Sequence, residues 1–168
     1  ARRIAWGKFL NAGQTCVAPD FVWADRRIAA PLLEAMAAAI HRFYGEDPSQ
    51  SSDYGRIVSP RHFDRLQGLL GAGRVVCGGT GDRGARYLAP TLLADVPPDA
   101  PVMQEEIFGP ILPVLAYETL GEVIDDLRRR PVPPALYVFS ESRDTQERLL
   151  EGVRSGGACV NDTVLHLL

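Results

Sequence analysis

The sequence predicts an α/β fold: a mainly parallel, doubly wound sheet covered by helices. Three observations carry this. Apolar runs of strand length alternate with amphipathic runs of helix length over most of the chain. Glycine and proline fall where the period changes rather than inside the runs. With 46% hydrophobic and 23% charged residues in 168, there is apolar material for one real core, so one domain is expected.

Ile4, Trp6, Phe9 and Leu10 are the apolar positions of a first helix, with Arg2, Arg3 and Lys8 between them, closing at Ala12-Gly13. Phe21-Val22-Trp23 reads as a strand, and Asp25-Arg26-Arg27 as the turn out of it. Pro31 stands where a proline opens a helix, and Leu32, Met36, Ile40 and Phe43 follow on one face, with Gly45 as the stop. The serine-rich stretch from Asp47 to Asp53 is a loop. Ser59-Pro60 supplies the cap and first-turn proline of a helix through Phe63, Leu66, Leu69 and Leu70 that stops at Gly71. Arg74 to Cys77 is a short strand. Gly78-Gly79-Thr80-Gly81 lacks the spacing and the downstream Lys-Ser/Thr of a phosphate-binding loop, so it reads as a hairpin-like surface loop. Tyr87 to Leu93 reads as a strand with its proline at an edge or bend.

Ile111 to Ala116 is a buried strand. Thr119 and Glu122 form a capping box for a helix carrying Leu120, Val123, Ile124 and Leu127 inward, with Arg128, Arg129 and Arg130 complementing its negative end. The stiff connector Pro131-Val132-Pro133-Pro134 leads into Ala135 to Phe139, expected to be a central strand. Ser142 caps a last helix through Leu149, Leu150 and Val153, closed by Gly156-Gly157. Ala158-Cys159-Val160 is the last strand, and Asn161-Asp162 turns.

A formal net charge of −3 with no basic stripe argues against nucleic acid as a partner. Cys16, Cys77 and Cys159 are odd in number and widely spaced, which suggests neither a disulfide framework nor a metal site and fits a reducing, cytoplasmic compartment. No run approaches the roughly 18 apolar residues that span a bilayer. Membrane association is not readable from this chain, and anchoring through a missing C-terminus is not excluded. It begins at Ala1 and opens directly into a periodic segment, so a fragment is expected.

The stretch with chemical content is Asn11-Ala12-Gly13-Gln14-Thr15-Cys16-Val17-Ala18-Pro19, in which a glycine turn delivers a cysteine. A thiol has a pKa of about 8.5, yet sulfur is nucleophilic enough to attack an electrophilic carbon if exposed and positioned. Gly13 permits a sharply turned backbone before the thiol, and the small Ala18 leaves room after it. Backbone N–H groups in such a turn can face the oxygen on which charge develops. A lone cysteine is more often a small buried hydrophobe; Cys16 as nucleophile rests on the pattern around it. His41 and His62 are surface or helix-terminal residues on this reading, because nothing brings either to the thiol.

The second stretch is Gln104-Glu105-Glu106-Ile107-Phe108-Gly109-Pro110. A carboxylate can accept two hydrogen bonds from a ribose diol, and a ring can pack beside the sugar or a nicotinamide. By residue type alone the acidic pair reads more readily as a cap.

Phe9 with Gly13-Gln14 and Cys16-Val17-Ala18 matches the active-site cysteine signature of the aldehyde dehydrogenases, and Glu105 to Pro110 resembles their E-E-I-F-G-P segment. The wording is most similar to the class 3 group, also at Arg42 to Asp47, Arg86 to Thr91 and Ser155 to Asp162. Val132-Pro133-Pro134-Ala135 departs from the Lys-Pro-Leu-Ala usual there and touches no catalytic role. The resemblance implies the catalytic-domain type of fold, incomplete, with Cys16 as nucleophile and with Glu106 and Phe108 binding NAD or NADP. It implies oxidation of an aldehyde to a carboxylic acid through a thiohemiacetal and a thioester, and a homodimer when intact. The family's glutamate base and oxyanion asparagine lie in segments that this sequence does not contain. Residues 1–168 therefore resemble a cysteine-bearing catalytic domain without the upstream cofactor-binding half and the C-terminal segment. Two alternatives stand beside this reading: a non-catalytic truncated subunit of the same family, and a cysteine hydrolase, which would need a positioned His–Asn/Asp pair for which there is no signature.

Overall fold

Alternation along one strand divides the molecule into layers. A computed structural model of the chain describes residues 1–167. In strand β6, Ile111–Tyr117, Ile111 and Leu115 join one buried cluster while Leu112 and Val114 join another, as the twofold period of a strand requires. β6 lies inside a four-stranded sheet of order β1-β6-β5-β2, with β1 at Val22–Asp25, β5 at Thr91–Ala94 and β2 at Arg74–Cys77. β1 and β5 run parallel to β6, and β2 is antiparallel to β5. The ladders on β6 are staggered. Residues 111–113 pair with β5 and 114–117 with β1, so Pro113 sits where pairing changes sides and its missing N–H is tolerated in an interior strand.

On one face lie helices α1 (Arg2–Phe9) and α2 (Arg26–Tyr44), which bury Ile4, Ala5, Phe9, Leu33, Met36 and Ile40 against Leu92, Leu112 and Val114. On the other, α3 (Pro60–Leu69) buries Phe63 and Leu66 against Leu93, Ile111 and Leu115. This is the layering expected of a doubly wound sheet. Helix α4 (Leu120–Arg129) follows β6, and helix α5 (Arg143–Gly152) joins β7 (Ala135–Val138) to β8 (Gly157–Val160), a separate parallel pair. Gly81–Asp82 and Tyr87–Leu88, strands β3 and β4, make a small antiparallel hairpin beside Phe63.

Capping signals are realised in the backbone. Ser59 accepts from His62 N–H at 3.2 Å, and Ser142 from Thr145 N–H at 3.3 Å. Thr119 and Glu122 make the reciprocal box, Glu122 also accepting the Glu118 N–H.

Five local expectations are corrected. Asp25-Arg26-Arg27 is a helix start, with the Asp25 carboxylate accepting the Arg27 N–H, so α2 begins at Arg26 and Pro31 lies inside it. Tyr87 to Leu93 is two strands, divided at Ala89-Pro90. Ala135 to Val138 pairs with β8 alone among the described residues and is not central. Helix α5 stops at Gly152, ahead of Gly156-Gly157. The apolar Trp6 of α1 and Leu10 just after it are exposed. Lys8, which lies between these apolar positions, is fully buried.

Candidate active site

Asn11, Ala12 and Gly13 follow α1 with φ of 52°, 53° and 73°, a left-handed turn that bends the chain before Cys16. Gln14 locks the turn. Its amide nitrogen donates to the Asn11 and Arg56 carbonyls at 3.1 and 2.9 Å, and its amide oxygen accepts the Val58 N–H at 2.8 Å. Beyond the thiol, Ala18 N–H donates to the Thr15 carbonyl at 2.9 Å and the Tyr137 hydroxyl donates to the Val17 carbonyl at 2.7 Å. Cys16 is exposed between these anchors, whereas Cys77 and Cys159 are partly buried and burial pushes the Cys77 thiol up. Cys16 is therefore the most accessible of the three thiols.

The acidic stretch is anchored through its backbone. Arg130 donates to the Met103 carbonyl at 2.9 Å, and Arg65 to the carbonyls of Glu106, at 3.3 Å, and Ile107. His62 Nε2 meets the Phe108 carbonyl at 2.7 Å and therefore carries the proton there. Ile107 is buried, Phe108 is half-buried at φ 49°, and Glu105 and Glu106 are exposed. Arg65 pairs with Glu105 at 3.7 Å, while the Glu106 carboxylate has no ion pair among the described residues. A cap would engage its own backbone; Glu106 instead points an open carboxylate outward from a fixed loop.

Two contacts bind this loop to the cysteine turn. Gly13 packs on the Gly109 carbonyl so closely that a Cβ on it would lie 2.3 Å from that oxygen. Asp20, four residues after the thiol, accepts the Ile107 N–H at 3.0 Å. Beneath them lies Lys8, whose Nζ has no hydrogen-bond partner among the described residues. Burial pulls Lys8 down to about 8, against the attraction of Asp20 and Glu106. Burial likewise raises the Asp20 carboxyl, opposed by Lys8, by its bond to Ile107 and by Arg65 and Arg130.

The structure thus places the turn bearing Cys16 against the loop bearing Glu106 and Phe108. Neither His41 nor His62 serves the thiol as a base: His41 faces Glu46 at 3.5 Å at the end of α2, and His62 is spent on Phe108, while the third histidine, His166, packs edge-on against the Tyr137 ring at 5.6 Å. Sequence reasoning does not find the holding roles of Gln14, Asp20, Arg65 and Lys8 or the anchoring task of His62. Two of these leave a signal: Gln14 lies inside the cysteine signature, and Lys8 is four residues from Ile4 and so shares its face.

A sheet wound on both faces, an exposed cysteine on a glycine turn and an open glutamate on a docked loop together define a class, and this chain belongs to the aldehyde dehydrogenase family, whose model matches residues 1–166. Among its relatives, "Aldehyde dehydrogenase, dimeric NADP-preferring" of Bos taurus is 49% identical over 166 residues, 99% of this chain and 70% of the relative. "Aldehyde dehydrogenase family 3 member B1" of Bos taurus is 52% identical over 167 residues, 99% of this chain and 36% of the relative. Among solved structures, the substrate-bound state of Staphylococcus aureus AldH superposes with a TM-score of 0.96 at 45% identity, over 99% of this chain and 37% of that one. The NAD-dependent aldehyde dehydrogenase from Sinorhizobium meliloti gives 0.86 at 27% identity, over 96% and 34%. The chain thus spans little more than a third of several of the proteins it matches.

Proposed function

We propose that the protein carrying this sequence oxidises an aldehyde to a carboxylic acid with NAD or NADP, and that residues 1–168 are the cysteine-bearing part of its catalytic domain. The observation that carries the proposal is the docking of an exposed thiol turn against a backbone-anchored loop that offers an unpaired carboxylate. Cys16 sulfur adds to the carbonyl carbon; a C–S bond forms as the S–H bond and the carbonyl π bond break, and the oxygen takes up the proton that the thiol gives up, giving a thiohemiacetal. The Cys16 N–H, fixed by covalent geometry near the sulfur, is the natural donor to that oxygen. A nicotinamide held by Glu106 and Phe108 would supply the two-electron acceptor for the hydride that the former carbonyl carbon must lose on becoming a thioester. Water then releases the acid from the Cys16 thioester, aided by the base that the family resemblance puts outside these residues.

The residues present fit such a cofactor. Glu106 offers two carboxylate oxygens to a ribose diol without leaving another partner unpaired, and Phe108 is held beside it by His62. NADP use and a dimer are inferred from the name of the bovine relative. No helix among the described residues is long and apolar enough to cross a membrane; a cytoplasmic location is inferred from the free thiols, which suit a reducing compartment.

The test is to incubate the protein with an aldehyde and NAD or NADP, quench it, and map acyl groups by peptide mass. An acyl adduct on Cys16 with one equivalent of reduced cofactor is expected. An adduct confined to Cys77 or Cys159, or reduced cofactor without any acyl-cysteine, would overturn the assignment. On our reading the 168 residues alone react once at Cys16 and do not turn over, because the base lies outside them.

A further inference from the structure

A long cation sealed in a protein interior without an acceptor is unfavourable unless carboxylates repay it. Lys8 is such a cation: it is fully buried, its stem cannot carry the ammonium to water, and its Nζ is unpartnered among the described residues. The charges that act on it are Asp20, on the segment leaving the cysteine turn, and Glu106, on the facing loop. Asp20 in turn feels Arg65 from α3 and Arg130 from the end of α4. Both arginines are already committed to carbonyls of the facing loop, and Arg130 also pairs with Asp126 and lies 4.9 Å over the Phe21 ring. Lys8 is the one cation near Asp20 with no such commitment among the described residues.

We propose that Lys8 is a positioning residue of the active site, a buried positive charge that keeps Asp20 ionised as acceptor of the Ile107 N–H and thereby holds the loop bearing Glu106 against the cysteine turn. The inference rests on the proposed function for its consequence and on the Lys8–Asp20–Ile107 chain for its cause. Without the charge, burial favours protonation of Asp20, a neutral carboxyl accepts the Ile107 amide less strongly, and the peptide bearing Glu106 loosens. The lowered pKa of Lys8 places this loss above neutral pH, as the ammonium gives up its proton.

The test uses Lys8→Met, which keeps the stem and fills the site, with Asp20→Asn as a second variant that keeps shape and removes charge. In cofactor-free protein, hydrogen exchange at the Ile107 amide should speed up by about tenfold in either variant, the equivalent of one weakened hydrogen bond, while amides of α1 and β6 keep their protection. The parent should show the same loosening as pH rises through about 8, and Lys8→Met should not. With aldehyde and cofactor, Lys8→Met should slow the oxidation step, and combining it with Glu106→Gln should add nothing. Unchanged Ile107 exchange in both variants, or faster exchange spread evenly over the chain, overturns the positioning role. If exchange responds as expected and no oxidation is seen in the parent, the positioning stands and the proposed function falls.

Discussion

Gly13 rests on the carbonyl of Gly109, at a distance that leaves 2.3 Å between a Cβ and that oxygen. Two glycines from stretches far apart in sequence form the joint between the thiol turn and the carboxylate loop. Gly13→Ala would meet both the clash and a left-handed φ of 73°. The conformation alone costs about 1–2 kcal/mol. Chemical denaturation should therefore show a loss of more than about 2 kcal/mol; a loss within a few tenths of that of a surface substitution would mean the joint is loose.

Cys16→Ser should abolish aldehyde oxidation in the protein that carries this sequence while leaving cofactor affinity nearly unchanged, because a hydroxyl is a far weaker nucleophile. Cys77→Ser and Cys159→Ser should cost mainly stability. The comparison is steady-state oxidation of the three variants beside cofactor titration.

Glu106→Gln keeps the side chain's shape and gives up the charge-assisted bonds to a ribose diol. Its effect should fall on the oxidation step more than on cofactor binding, since a less firmly held nicotinamide spends less time at reacting distance. A single-turnover rate at saturating cofactor reads this; an unchanged rate returns Glu106 to a structural role.

His62→Ala removes the donor to the Phe108 carbonyl and should destabilise the fold by about 1–2 kcal/mol. The Ser59 cap on the same helical turn is untouched by it. If Phe108 needs this anchor, single-turnover oxidation falls as well. Loss of stability with full rate would confine His62 to folding.

Lys8 makes stability depend on pH in a direction unusual for lysine. Its folded pKa, about 8, lies below the ordinary 10.5, so between these values the unfolded chain binds the proton that the native state has released, and stability rises with pH. The penalty is fully present below about 8 and is relieved by 10.5. A shift of this size corresponds to about 3 kcal/mol. Lys8→Met should be the more stable protein at pH 7 and should lack the alkaline rise. Denaturation curves at pH 7 and pH 10 for both proteins test the sign.

The layers were legible because the strands here are short, apolar and bounded by turn residues, and because Ser59, Thr119, Glu122 and Ser142 are caps with local partners. The errors arose where a local signal has two meanings. Asp25-Arg26-Arg27 has turn composition, and the same aspartate is a good cap. Pro31 can open a helix or cost one hydrogen bond inside a longer one, and the nineteen residues of α2 absorb that loss. Cys16, Glu106 and Phe108 were visible as patterns. The groups that hold them were not, because Asp20 reaches Ile107 and His62 reaches Phe108 across the fold, and no spacing encodes such contacts.

The loop carrying Glu106 is gripped by its carbonyls at Met103, Glu106, Ile107 and Phe108 and by the Ile107 amide, so the grip does not depend on which side chains are mounted there. Support and chemistry are thereby decoupled. Substitutions at Gln104, Glu105 and Glu106 can exchange what the loop presents while its course is preserved, which makes these three exposed positions a socket into which other recognition chemistry can be fitted without redesigning the fold.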